Sequence, residues 1–257
     1  MNLKGQWIAF TTIVRKEVTR FMRIWVQTLL PPVINQILYF IIFGAFIGAQ
    51  IRELNGIPYA SFIVPGLIMM AVISNSFSNV VSSFFGTKFM HSVEELMVSP
   101  TKNAVILLGY SVGGMLRGIL IGLIVFLVSS FFTPISLDHP FVAILFAVLC
   151  SALFSFAGFL NALFAKKFDD VSVFPTFVLT PLTYLGGVFY SIDALPPFWQ
   201  TISKFNPIVY IVDGFRYGFF GFSEMNVWAS LAVLCVFTLA LFFLNLHLLN
   251  RGTGLKS

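Results

Sequence analysis

Six long apolar stretches constrain what this chain can fold into. They cover residues 29–49, 61–85, 104–132, 140–165, 173–190 and 227–249, and only the third contains a Lys, Arg, Asp or Glu, at Arg117. A helix rises about 1.5 Å per residue and a bilayer's hydrocarbon core is about 30 Å thick, so about 20 apolar residues span it. Each stretch therefore predicts a transmembrane helix, the fifth being short for a span and the third long. Charged residues make up 10% of the chain, against roughly 25% in soluble domains. An all-α membrane protein with one domain over residues 1–257 is predicted, since no linker rich in Gly, Ser and Pro divides it.

The net charge of +5 does not point to nucleic acid. The basic residues border the apolar stretches and form no patch interleaved with aromatics, so no nucleic-acid partner is expected. Six spans put both termini on one side together with the second and fourth connections. That side holds Lys4, Arg15, Lys16, Arg20, Arg23, Lys88, Lys102, Lys166, Lys167, Arg251 and Lys256, whereas the other holds Arg52, Lys204 and Arg216. The positive-inside rule then predicts cytoplasmic termini. The charges at residues 15–23 and the absence of a short apolar core before a small-residue cleavage site argue against a cleavable signal peptide. Cys150 and Cys235 lie inside apolar stretches and read as small buried hydrophobes. His91, His139 and His247 are scattered with no ligand spacing, so no metal site is expected.

Ahead of the first stretch, Trp7, Phe10, Val14, Val18, Phe21 and Trp25 recur at helical spacing opposite Thr12, Lys16, Thr19, Arg20 and Arg23. Residues 1–27 thus predict an amphipathic helix in the membrane interface, in contact with lipid, which anchors the chain or carries movement between domains. Pro31 and Pro32 suit the start of the first span. The connection 86–100, GTKFMHSVEELMVSP, pairs Ser92 with Glu95 in a capping-box pattern and ends at Pro100. A short helix over 93–98 is expected, either a docking surface for a soluble partner or a helical turn in a solvated loop.

Within the second span Ser74, Ser78 and Ser82 lie beside Asn75, Asn79 and Ser83. This polar stripe must face the bundle interior, a subunit interface or a wet cavity. In the third span Gly114, Gly118 and Gly122, preceded by Gly109 and Gly113, form a close-packing stripe in which dimer contact is one option. Arg117 beside it is a functional candidate, with snorkelling as the alternative. Residues 191–226 are too apolar for a free loop. Pro196 and Pro197 open one short helix through Ser203, and Asn206 with Pro207 caps and opens a second to about Phe220, on which Asp213 and Arg216 can pair. This predicts a re-entrant or interfacial hairpin on the outer side.

No Asp or Glu lies within a stretch, which disfavours proton-coupled carboxylate relays, and no GxxxxGK[ST] phosphate loop is present. An ATP-driven machine would need a second chain to bind nucleotide. An ion-coupled secondary transporter and a non-transporting membrane anchor remain as alternatives.

In this order, the amphipathic helix, the six stretches, VEELMVSP after the second and LPPFWQTISKFNPIVYIVDGFR before the sixth resemble the ABC-2 family of transporter permeases. The likeness covers nearly the whole chain and is nearest to the bacterial inner-membrane branch typified by YadH. It implies a permease without enzymatic activity of its own, in the bacterial inner membrane. The partners it implies are a second permease copy, giving a homodimer or a pair with a sister permease, and a cytoplasmic ABC ATPase subunit that binds ATP and magnesium. No cofactor belongs to this chain. It further implies ATPase coupling through Glu94, Glu95, Leu96, Ser99 and Pro100, with Arg15 and Arg20 in a second contact. The translocation path would be lined by Asn35, Asn75 and Asn79, with Arg117 nearby. Drugs, lipids or glycans would move outward along it.

Overall fold

The computed structural model describes residues 2–48, 51, 53–54 and 56–254, apart from the side chain of Ala45. Ala49, the expected end of the first span, and Arg52 and Lys256 of the charge partition fall outside the described residues. Helix α1 (Leu3–Arg23) opens the chain, capped by the Asn2 side chain, which accepts from the Gly5 amide at 3.1 Å. After a short turn, α2 (Trp25–Thr28) leads into α3 (Leu30–Tyr39), with Pro31 and Pro32 in its first turn as expected, and the helix widens to a π-helix over Phe40–Ile47. A two-residue ladder, β1 (Glu53–Leu54) against β2 (Ile57–Pro58), turns the chain into α4 (Tyr59–Phe89). Then follow α5 (Ser92–Val98), α6 (Asn103–Ser129) and α7 (Pro140–Phe164). Beyond these lie α8 (Phe168–Phe174), α9 (Thr180–Tyr184), α10 (Pro197–Lys204), α11 (Pro207–Phe220) and α12 (Val227–Asn250).

Among the described residues, five helical segments are long and apolar enough to cross a membrane: Trp25–Gly44, α4, α6, α7 and α12. The fifth predicted span is a different object. Its residues begin at the end of α8 and continue through a π-turn over Pro175–Leu179 into α9; with all of α8 these segments of 7, 5 and 5 residues make a rod of about 25 Å at 1.5 Å per residue. Pro175 has no amide to donate inside a helix, which the wider turn accommodates. The rod ends where Gly187 takes a φ of 73°, so residues 188–190 fold back instead of extending the helix. There the Tyr59 hydroxyl donates to the Phe189 carbonyl at 3.0 Å.

Helix α4 is the centre. Of its most apolar stretch 83% is buried, against 17% for the first and last spans, so lipid is met by the outer helices while α4 is surrounded by protein. The enclosure depends on small residues. Gly114 and Gly118 bring α6 onto α4, where an added Cβ would meet the Ser76 and Val72 carbonyl oxygens at 2.9 and 3.0 Å. Gly158 does the same for α7, with the Phe77 carbonyl oxygen 2.5 Å from such a Cβ. The expected glycine stripe is therefore spent inside one chain, on α4. The preceding Gly109 and Gly113 receive Ile13 and Glu17 of α1.

The two ends of the bundle are distinct. At one, the Lys88 ammonium donates to the Leu163 and Ala165 carbonyls, both at 2.8 Å, and Asn103 of α6 donates to Asn250 of α12 at 2.9 Å. The turn into α8 lies there too, closed by Asp170, which accepts from the Lys166 and Lys167 amides at 2.8 and 3.0 Å. Those bonds hold its carboxyl below the usual carboxylate range. At the other end, Ser61 and Thr133 share a 2.6 Å hydrogen bond, and the Asp138 and His139 amides donate to the Phe219 and Gly218 carbonyls. Lys88, Lys166 and Lys167, assigned to the basic side, thus gather at one end.

Replacing Gly158 by Val forces α7 off α4 and is expected to cost about 1–3 kcal/mol, whereas Gly86→Ala, which meets open space, is neutral. Thermal unfolding in detergent checks both, and equal melting temperatures would contradict the assigned packing.

Candidate functional site

The basic end carries a short helix held like a handle. Val93 of α5 is buried, Leu96 and Met97 pack against the core, and Glu94, Glu95 and Pro100 are exposed, with Val98 88% exposed. The capping box does not form. The helix begins one residue early, at Ser92, so the preceding His91 occupies the cap position with a φ of 57° and no side-chain cap bond. The His91 ring instead lies 3.5 Å from the Glu94 carboxylate. At the other terminus the Ser99 hydroxyl donates to the Leu96 carbonyl at 2.7 Å, and Pro100 ends the helix as expected.

Helix α1 grips the segment that follows. The Gln6 side chain donates to the Pro100 carbonyl and accepts from the Lys102 amide, both at 3.0 Å. Farther along, Glu17 is fully buried and accepts from the Ser83 hydroxyl at 2.5 Å. Arg20 pairs with Glu17 at 3.1 Å and also donates to the Asn79 side-chain and backbone oxygens at 2.8 and 3.1 Å. Lys16 donates to the Tyr110 hydroxyl at 3.2 Å. Helices α1, α4 and α6 are thereby joined by charge-assisted bonds, which are stronger than neutral ones.

Several sequence expectations change here. The apolar stripe over residues 7–25 divides: Trp7 and Trp25 are exposed while Phe21 is buried, and α1 turns Gln6, Ile13, Glu17 and Phe21 toward the bundle. Arg20, expected at a partner surface, is turned inward, while Arg15 remains exposed. Glu17 and Gln6 were not singled out. Their signal was register: Ile13 and Glu17 are spaced four apart, like the Gly109 and Gly113 that receive them.

A polar cavity of about 330 Å³ opens between α2, α3, α4 and α6, and its walls include Asn35, Gln36, Ser74, Asn75 and Arg117. The Arg117 guanidinium donates to the Thr28 carbonyl at 3.2 Å and the Asn75 side-chain oxygen at 3.3 Å. Asn35, Asn75 and Arg117 are thus brought together, but Asn79 is not; it is fully buried and committed to Arg20.

The hairpin before α12 has the predicted start, since the Asn206 side chain accepts from the Ile208 amide at 3.0 Å, and Pro207 opens α11. The predicted Asp213–Arg216 pair is absent. Asp213 accepts from the Glu224 amide at 2.8 Å, the Met225 amide at 3.2 Å and the Ser223 hydroxyl at 2.5 Å. Arg216 donates to the Gly187 carbonyl at 2.7 Å and stacks 4.0 Å from the Phe62 ring centre. Asp213 thus pins the loop after α11, and Arg216 pins the turn at Gly187 that follows α9.

Comparison with known proteins agrees with this layout. The family model for the ABC-2 type transporter matches residues 8–220. The inner membrane transport permease YadH of Escherichia coli K12 is 54% identical over 98% of each chain, and the YadH protein of Shigella flexneri matches to the same degree. Nodulation protein J of Rhizobium leguminosarum bv. trifolii is 23% identical over 95% of this chain and 93% of its own. A family whose permeases work with an ABC ATPase subunit thus accounts for a helical membrane bundle with a protruding short helix, and the chain belongs to the ABC-2 type transporter family as a transport permease.

Proposed function

We propose that this chain is the six-span permease of an ATP-driven exporter in the bacterial inner membrane. It works as a homodimer with both termini in the cytoplasm, and each copy is seated on one ABC ATPase subunit that binds the ATP and magnesium. Its substrate is a drug, lipid or glycan-type molecule moved outward. The sixth crossing is the α8–α9 rod. Lys166 and Lys167 lie at the basic end, where Lys88 binds the Leu163 and Ala165 carbonyls, whereas Phe189 lies at the opposite end beside Tyr59. These placements support a passage of the chain between the two ends over those residues. Helix α11 lies alongside α7, its Gly214 against Phe146 and its Gly218 against Ala143, as a re-entrant helix shielded by protein does.

The observation that carries the proposal is the mounting of α5. A helix of seven residues exposes Glu94, Glu95 and Val98, yet it is fixed to the core by Val93, and the segment that follows it is held to α1 by Gln6 at Pro100 and Lys102. ATP-driven closure of the ATPases displaces α5; α1 moves with it, and the α1 bonds to Ser83 and Asn79 carry that movement into α4, one wall of the polar cavity.

Substituting Glu94 and Glu95 together by Lys is expected to weaken ATPase capture by the purified permease at least tenfold, about 1.4 kcal/mol, with membrane insertion unchanged. Full capture of the ATPase by that variant would contradict the coupling role. Transport by reconstituted permease driven by an ion gradient without nucleotide would favour a secondary transporter, and no transport under either condition a membrane anchor.

A further inference from the structure

Arg117 is a cation without a counter-ion. It sits midway along α6, its Nε is buried with no acceptor, and its two hydrogen bonds, to Thr28 and Asn75, are long at 3.2 and 3.3 Å. Among the described residues no carboxylate pairs with it, and the charged neighbour close enough to act on it is Arg20, which repels it. Arg20 is already spent on Glu17 and Asn79. A guanidinium in a membrane bundle is costly unless it is paired or faces a wet cavity. Here it faces a cavity whose other walls carry the uncharged donors and acceptors Asn35, Gln36, Ser74, Asn75 and Ser78 among apolar groups such as Pro31 and Met70. At about 330 Å³ the cavity falls at the lower end of ligand pockets. That is room for a head group and not for acyl chains. Asn35 and Pro31 on its rim are exposed, so chains can leave sideways past α3.

We infer that the Arg117 cavity receives the anionic head group, phosphoryl or carboxyl, of an amphipathic substrate. The planar guanidinium offers paired N–H donors to such a group, and the surrounding amides and hydroxyls donate the remainder. The inference rests on the transport reading above and narrows its substrate class to anionic amphiphiles, against neutral drugs and uncharged glycans.

The test needs neither ATP nor ATPase, so its failure leaves the ATP-driven reading standing, and failed ATPase capture leaves this result untouched. Full-length protein in phosphatidylcholine nanodiscs is titrated with dihexanoyl phosphatidic acid, dihexanoyl glycerol and inorganic phosphate, with binding read by native mass spectrometry and calorimetry. The phosphatidic acid is expected to bind at least tenfold more tightly than the other two, and Arg117→Gln to abolish that preference. Asn75→Asp places a carboxylate where the guanidinium already bonds, and it is expected to abolish the preference while the cation and the fold remain. It therefore decides the matter even if Arg117→Gln fails to insert. Equal binding of dihexanoyl glycerol shows a cavity that does not select anions, and equal binding of phosphate shows a site for soluble anions. Either result, or unchanged binding by Asn75→Asp, overturns the assignment.

Discussion

Helix α4 keeps Asn75, Asn79 and Ser83 buried in a largely apolar bundle because other helices come close enough to enclose them. Gly114 and Gly118 of α6 and Gly158 of α7 set that distance, since each faces a backbone carbonyl of α4 with no room for a side chain. Backbones in such contact leave polar groups few routes to lipid, so the stripe must be satisfied from within. Asn75 donates to the Ala71 carbonyl at 2.9 Å, Ser83 donates to Glu17, and Asn79 accepts from Arg20. For Asn79 and Ser83 the polar partners come from α1, and this is why a helix that reads as interfacial is built into the bundle.

That arrangement gives α1 two roles through one set of contacts. Its first turns clamp the segment after α5 through Gln6, and its later turns reach α4 through Glu17 and Arg20. A buried ion pair is poor evidence of stability, because desolvation offsets much of the attraction. Its better-attested use is to fix register, and here it fixes where α1 sits along α4 and α6. On the proposed reading, a push on α5 cannot dissipate in a loose loop, because the clamp and the ion pair make α1, α5 and the end of α4 respond together. The cavity beside Arg117 lies on the same helices, which places the substrate-facing groups within reach of that movement.

Much of the fold was legible from residue order. Runs of apolar residues marked α3, α4, α6, α7 and α12, and the pairs Pro31–Pro32 and Asn206–Pro207 marked helix starts, because these signals are local. Local chemistry failed where tertiary contact decides. The α1 packing face was missed since burial of Glu17 depends on Gly113 and Ser83, which lie far away in sequence. Ser92 did not cap α5 because the helix starts one residue early, behind His91. The spacing of Asp213 and Arg216 allowed a pair, yet backbone groups of 187, 224 and 225 and the Ser223 hydroxyl claimed both side chains. Of the candidate site, the exposed acids of α5 and the polar group around Asn35, Asn75 and Arg117 were visible in sequence; the Gln6 clamp joining α5 to α1 was not.

The central claim is that work enters this permease through α5. A photoreactive amino acid in place of Val98, on the exposed end of α5, tests it in intact membranes containing the ATPase partner, with the same probe at Phe131, at the far end of α6, as the control. The account predicts an adduct of permease mass plus ATPase mass from position 98 and none from position 131. An ATPase adduct from position 131, or none from position 98 in a complex that still co-purifies, would contradict it.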